Sequence, residues 1–259
     1  MKQGPTFSII IPTFNSLDLL HNALGSILMQ KGDISFEIII TDDSSNNDIE
    51  KYIKSLGDNR ISYFHNKPSL GAVRNWNQGL KNSNGEYVIV MHHDESFSDE
   101  NILKTIEERL IENPDIILLN LKVYTNGIST RKKIFSHLAP IVLQHPTILF
   151  AINAIGPCAC MVARRSHLQL FDDKLKWFVD VEWYYRLIKK AKKKIFLKDC
   201  YIKSINGHKG QITDNINIKE TAVKDKAIIT RKYSSLSIVN LMLTIGQILT
   251  HIHKRLSRS

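Results

Sequence analysis

The 259-residue sequence predicts an α/β fold, a doubly wound and mostly parallel (mixed) sheet with helices on both faces, ending in a C-terminal helical tail. Three observations carry that expectation. Short runs rich in β-branched residues are apolar at consecutive positions, as strands buried on both faces are. Stretches with helical apolar spacing alternate with these runs. Polar clusters fall where three of the runs end: Thr13-Phe14-Asn15, Asp42-Asp43 and His92 to Glu95. In open parallel sheets, ligands bind beyond the carboxyl ends of the strands.

The elements follow in order. FSIIIP (7–12) is the first strand, and Asn15 and Ser16 offer N-caps for a helix over about 17–29. FEIIIT (36–41) is the second strand, and DDSSNND after it is turn chemistry leading into a helix near 48–56. ISYFHN (61–66) is the third, followed by helical spacing in LGAVRNWNQGLKN (70–82). YVIVMH (87–92) is the fourth, with a helix from about 99 to 112 after it, and DIILLNLKVY (115–124) is the fifth. Gly156-Pro157 before CACMVARRS reads as a turn before a further strand. Asp180 stands where it could cap a helix over 181–192.

Composition narrows the class. At 43% hydrophobic and 23% charged, the chain is long enough for one large core. Its three cysteines, Cys158, Cys160 and Cys200, are odd in number and offer only a C-x-C pair. A disulfide framework or closed zinc site is not expected, and a reducing compartment is. The apolar stretch near the N-terminus is cut by Pro12 and is too short for a signal peptide. The net charge of +10 suits anionic partners. However, the basic runs KKAKKK (189–194) and HKRLSRS (253–259) come without any nucleic-acid-binding motif, so no nucleic-acid partner is expected. Neither G-x-G-x-x-G after the first strand nor a P-loop is present. Phosphates, if bound, need a metal rather than a glycine-rich cradle.

Four motifs carry a family resemblance. SIIIPTFN (8–15), EIIITDDSSNND (37–48), GEYVIVMHHDE (85–95) and WFVDVEWYYRL (177–187) resemble, in order and spacing, those of a family 2 glycosyltransferase with the GT-A fold, across about residues 7–190. The resemblance implies roles. Asp43 accepts a hydrogen bond from a nucleotide base, with Phe14 beside that base where the family more often has Tyr. Pro12 and Asn15 belong to the same nucleotide-binding turn, and Arg74 lies near the phosphates. Asp94 matches the last aspartate of the D-x-D motif and binds a divalent metal, Mn²⁺ or Mg²⁺. His92 replaces the first aspartate, as in a subset of the family. It is a second ligand or, protonated, a phosphate contact; a neutral imidazole favours the softer Mn²⁺. His93 reads as structural, and Glu95 as a group behind the ligands, a helix cap or a solvated side chain. Asp180 matches the general base, although the usual Glu-Asp pair here reads Val179-Asp180. Glu182 and Trp183 are candidates for the acceptor side, Trp183 either stacking on a sugar or packing in the core. His208 in NGHKGQIT stands where a late histidine approaches the diphosphate and metal, or is an ordinary loop residue.

The chemistry agrees with these roles. A carboxylate-held cation offsets charge on a departing diphosphate. One carboxylate in reach of the acceptor hydroxyl takes its proton. Direct attack then inverts the anomeric carbon and needs a single base. The expected division is a glycosyltransferase domain over 1–215, with a nucleotide-sugar half (1–125) and an acceptor half (126–215), then helices over 216–259. In the tail, Ile238, Leu241, Met242, Ile245, Ile248, Leu249 and Ile252 form one helical stripe ahead of Lys254, Arg255 and Arg258. The stripe suits packing on the protein, a second copy or an anionic membrane surface, and not a membrane span. The partners expected are a nucleotide-sugar donor and a glycan or lipid-linked saccharide acceptor. The place expected is the cytoplasmic face of the membrane, and by family analogy the product is O-antigen or capsule. The alternative is a non-catalytic subunit of the same fold that binds sugar nucleotides or glycans.

Overall fold

The computed structural model describes residues 4–125, 128–130, 133–207, 217–235 and 237–256. Consecutive isoleucines make β1 (Phe7–Thr13) a strand with two apolar faces, and all seven of its residues are buried. β2 (Phe36–Asp42) and β4 (Tyr87–Val90) pair with it in parallel and β3 (Ile61–His65) pairs in parallel with β2, in the order β3-β2-β1-β4. The crossovers are α1 (Leu17–Leu28), α2 (Asp48–Leu56) and α3 (Ala72–Asn82). α3 lies so close to β1 that a Cβ on Gly79 would sit 2.2 Å from Ile10 Cγ2.

The second half turns the sheet mixed. After β4 come β5 (Glu95–Phe97), α4 (Ile102–Arg109), β6 (Ile116–Thr125), β7 (Ile128–Thr130) and α5 (Lys133–Gln144). β8 (Met161–Arg164) runs antiparallel between β4 and β6. α6 (Val179–Lys190) then leads into β9 (Lys194–Asn206), which pairs in parallel with β6 and carries β5 antiparallel at the sheet edge. β7 pairs with β6. Two sequence expectations need correction. The helix expected from about 99 begins only at Ile102, because residues 95–97 are recruited as an edge strand. Asp180 does not cap α6 but is its second residue, and Phe178 occupies the cap position.

The tail consists of α7 (Ile218–Lys232) and α8 (Ser237–Leu256). α8 packs on the 3-10 segment Pro146–Phe150 through Val239 and Leu243. Gly246 permits that approach, since a Cβ there would come within 2.7 Å of the Ala151 carbonyl oxygen. The face that packs therefore takes in only the Met242 edge of the stripe expected from the sequence. Ile238, Leu241, Ile248 and Leu249 are 42–54% exposed, and the Ile252 side chain lies outside the described residues. No described helix is long and apolar enough to cross a membrane.

Candidate active site

The parallel strands bring their polar ends to one edge. The Asp43 N–H donates to the Thr13 carbonyl at 3.0 Å, and the Asn15 N–H to Ser44 Oγ at 2.7 Å. Asn15 reaches this position with φ 46°, a left-handed turn that asparagine tolerates. Its side-chain oxygen accepts from the Ser45 N–H at 3.2 Å. The paired aspartates have different tasks. Asp42 is fully buried and accepts from Tyr63 Oη at 2.6 Å and the Ser44 N–H at 2.8 Å. Asp43 braces the 66–71 loop, accepting from Asn66 Nδ2, Ser69 Oγ and the N–H groups of Leu70 and Gly71 at 2.7–3.0 Å. A nucleotide base meeting Asp43 would share a carboxylate whose lone pairs are already engaged. Phe14 is 48% exposed and available to such a base, while Pro12 is buried within β1. Arg74 is held by an exposed pair, its Nε 3.0 Å from Asp173 Oδ2; such pairs are weak, and a phosphate can displace the aspartate.

The turn after β4 holds the second group. His92 Nδ1 lies 2.9 Å from Glu95 Oε1, and the His92 N–H donates to Glu95 Oε2 at 3.1 Å. Trp76 packs against the imidazole with ring centroids 4.5 Å apart. Burial alone would lower the imidazolium pKa. The Glu95 carboxylate outweighs burial, with Asp94 and Asp180 adding to its effect, and the pKa is carried up to about 9. Glu95 is almost fully buried, so it is neither a solvated side chain nor a helix cap. One ligand atom each from His92, Asp94 and Glu95 lies within 4.8 Å of the others. His92 Nε2 is buried with no hydrogen-bond partner among the described residues. An imidazole nitrogen and two carboxylates fit a divalent cation of the Mn²⁺ type. Holding one through His92 requires the imidazolium to give up its proton, so metal competes with the ion pair.

Asp180, in the first turn of α6, faces this turn closely enough for its charge to act on His92. Cys158 Sγ donates to Asp180 Oδ1 at 3.5 Å. Burial raises the Asp180 pKa, and His92 and the Cys158 hydrogen bond hold it back in part. The other acidic-segment candidates point elsewhere. Glu182 is fully buried and bonded to Arg186, Lys232 and Tyr233. Trp183 is 1% exposed, stacks on Phe171 at 4.4 Å and donates its indole N–H to the Gln169 carbonyl; no sugar can stack on it. The accessible aromatic here is Trp177, 41% exposed and three residues before Asp180. His208 lies outside the described residues.

Three residues that the sequence reading passed over support these groups. Asn75 is buried, donates to the Thr41 carbonyl at 3.0 Å and accepts from Asn66, tying α3 to the ends of β1 and β2. Cys158 contacts Asp180. Asp225, on α7, accepts from the N–H groups of residues 176–178. The only local signal was for Asn75, on the inward face of a helix with polar spacing.

Strand-end carboxylates around a His-Asp-Glu turn, with the half-buried Asp180 near it, make up the candidate site. Residues 8–171, more than half of the chain, match the model of Glycosyl transferase family 2, and the protein belongs to that family. The chain is 27% identical over 195 residues to a protein of Escherichia coli (strain K12) named as the colanic acid biosynthesis glycosyl transferase WcaA, covering 73% of this chain and 68% of that one. It is 39% identical over 95 residues to a GalNAc(5)-diNAcBac-PP-undecaprenol beta-1,3-glucosyltransferase of Campylobacter jejuni, covering 35% and 30% respectively. Among solved structures, S. aureus TarS 1–349 in complex with UDP-GlcNAc aligns with TM-score 0.71 at 20% identity, covering 92% of this chain and 70% of that one. The mannosyltransferase PcManGT of Pyrobaculum calidifontis, in complex with GDP-Man and Mn²⁺, aligns with TM-score 0.66 at 15% identity, covering 94% and 69%. The sheet and its helices therefore have the GT-A fold expected from the sequence.

Proposed function

We propose that this protein is an inverting glycosyltransferase that moves a sugar from a nucleoside diphosphate donor to a hydroxyl of a glycan or lipid-linked saccharide. One observation carries the reading: a half-buried carboxyl, Asp180, hydrogen-bonded to Cys158, lies within electrostatic reach of the His92-Asp94-Glu95 turn that follows β4. Asp180 takes the proton of the acceptor hydroxyl as that oxygen attacks the anomeric carbon. The bond from that carbon to the diphosphate oxygen breaks with its electron pair going to the diphosphate, and the configuration inverts. A divalent cation, Mn²⁺ by the donor set, held by Asp94 with His92 and Glu95, would offset charge on the leaving diphosphate. His92 in place of the first aspartate puts the chain in the histidine-bearing subset of D-x-D enzymes. Phe14, Asn15, Asp43 and Asn75 shape the nucleoside side, and Arg74 meets the phosphates. His208 is assigned near the diphosphate.

Residues 1–125 serve the donor, 126–215 the acceptor, and 216–259 form the tail. The names of the relatives, colanic acid biosynthesis and an undecaprenol-linked acceptor, support bacterial surface polysaccharide assembly, such as O-antigen or capsule, at the cytoplasmic membrane face. Charge and exposure of the tail support a peripheral contact with anionic lipid. Beyond Asp225 the sequence has no Asp or Glu and six Lys or Arg, and α8 leaves half-exposed Leu241, Ile248 and Leu249 uncovered. The test is a thermal-shift panel of UDP, dTDP, GDP and CDP with their sugars, each in EDTA, Mg²⁺ or Mn²⁺. One diphosphate raising the midpoint only with metal is the expected result. Asp180→Ala should keep that shift and lose transfer. Full turnover by this variant removes Asp180 from the base role, and no shift with any nucleotide refutes the donor site.

A further inference from the structure

We propose that Asp225, in the C-terminal tail, is a positioning residue for transfer: it fixes the entry of α6 and through it the base Asp180. The inference rests on Asp180 being that base. The first N–H groups of a helix, and those of the turn leading into it, need acceptors that the helix cannot supply. α6 has Phe178 at its cap position, and no side chain of its own segment caps it. The acceptor comes from α7. The N–H groups of Lys176, Trp177 and Phe178 donate to one oxygen, Asp225 Oδ2, at 2.9, 2.6 and 2.9 Å. Three successive N–H groups converging on one anion form a backbone cradle of the anion-binding kind. Asp225 is 2% exposed, so water cannot replace it there, and its charge lies at the positive end of the α6 dipole.

The tail grips α6 a second time. Tyr233 Oη donates to Glu182 at 2.6 Å, and Lys232 Nζ lies 2.9 Å from the same carboxylate. Asp180 sits between the two grips, two residues after Phe178 and two before Glu182. Its carboxyl must also meet Cys158 and face His92. A backbone held on both sides leaves it little freedom to drift from the acceptor oxygen. The tail is therefore part of the transfer machinery as well as a candidate lipid contact.

The variant is Asp225→Asn in the full chain, which keeps the volume but loses the charge, leaving one neutral amide oxygen for three N–H groups. The expected result is a fall in kcat of about 10- to 100-fold, as for a displacement of ~1 Å. Donor KM and the midpoint shift on adding nucleotide should be unchanged. Asp225→Glu, which keeps the charge, should recover part of the loss. Amide hydrogen exchange over 176–182 should quicken in Asp225→Asn while β1 to β4 stay protected. A kcat within twofold of wild type, counted per nucleotide-binding molecule, overturns the proposal, and so does unchanged exchange. If Asp225→Asn does not fold, Tyr233→Phe reads the second grip: the same split, several-fold, is expected, and wild-type kcat overturns it. A wild type inactive with every donor, while Asp225→Asn still loosens 176–182, refutes the glycosyltransferase reading and reduces the cradle to architecture.

Discussion

Glu182→Gln separates the two tasks open to this carboxylate, contact with an acceptor and the joining of α6 to the tail. Both Glu182 oxygens accept from Arg186 Nε, at 2.8 and 2.9 Å. Tyr233 Oη adds a hydrogen bond at 2.6 Å and Lys232 Nζ an ion pair at 2.9 Å. Glutamine keeps the shape but leaves two cations facing a neutral group. Breaking a buried ion pair by removing one partner costs about 3–5 kcal/mol. Both cations have other partners. Arg186 keeps Gln169 Oε1 and the Leu170 carbonyl, and Lys232 keeps Asp172 at 2.6 Å. The cost therefore falls below that range, to about 2–3 kcal/mol. In a chain of this size that lowers Tm by roughly 5–10 °C. Urea and thermal melts followed by tryptophan fluorescence measure it, with Lys232→Met and the double variant closing a cycle. A coupling above about 0.5 kcal/mol is expected from direct contact. A Tm change below about 2 °C would refute the buried-hub reading. If acceptor KM rose while Tm stayed constant, Glu182 would belong to the acceptor site, as the sequence first suggested.

Two further outcomes follow from the site and the tail. Burial raises the Asp180 pKa, and the base must be ionised, so transfer should fall as pH drops through a value above the ordinary aspartate range near 4. Cys158→Ala, which removes a hydrogen bond that lowers this pKa, should move that limb higher; a limb that does not move disconnects Cys158 from the base. Because the folded pKa exceeds the unfolded one, ionisation opposes folding. The cost is absent below about pH 4 and develops as pH rises through the folded value. Asp180→Asn should therefore raise Tm at pH 7 and leave it unchanged near pH 3.5, and a lower Tm at pH 7 would contradict the burial argument. On the tail, Leu241→Glu with Ile248→Glu should cut co-sedimentation with vesicles containing phosphatidylglycerol by more than tenfold, at about 2 kcal/mol or more for two half-exposed apolar side chains. Phosphatidylcholine vesicles should bind neither protein. Unchanged lipid binding, or a loss of dimer instead, would assign that face to another partner.

Much of this site was legible because its chemistry lies at strand ends. β1, β2 and β4 are almost wholly buried on both faces, so their sequences are dominated by consecutive apolar residues, and the residues that stop each run are the ones delivered to the edge. Asp43, His92, Asp94 and Glu95 could be found this way without any knowledge of their partners. β5 could not, because three residues carry no period and are a strand only because β9 offers its edge. The C-terminal stripe was legible as a pattern but not as a direction. Val239, Leu243 and Gly246 lie on a different face and meet the segment ending at Ala151, while Ile238, Leu241, Ile248 and Leu249 of the stripe stay exposed and Met242 at its edge packs on the core.

The supporting residues were hidden for a different reason. The Asn75, Cys158 and Asp225 side chains act across sequence separations of 34, 22 and 48 residues, and nothing local distinguishes a cradle-filling aspartate in α7 from a solvated one. Glu182 and Trp183 pose the opposite case. An acidic and an aromatic residue beside a base look like an acceptor site in sequence, yet Glu182 is turned about 200° from Asp180 around α6, and Trp183, one turn on from Asp180, is buried against Phe171. Asp180 is the second residue of α6, so no earlier turn of the helix stands behind it, and the backbone of the segment just before, 176–178, is held by Asp225. The residues that govern Asp180 should thus be sought across from it in the tail, where Asp225 holds the chain before it and Lys232 and Tyr233 hold Glu182 after it.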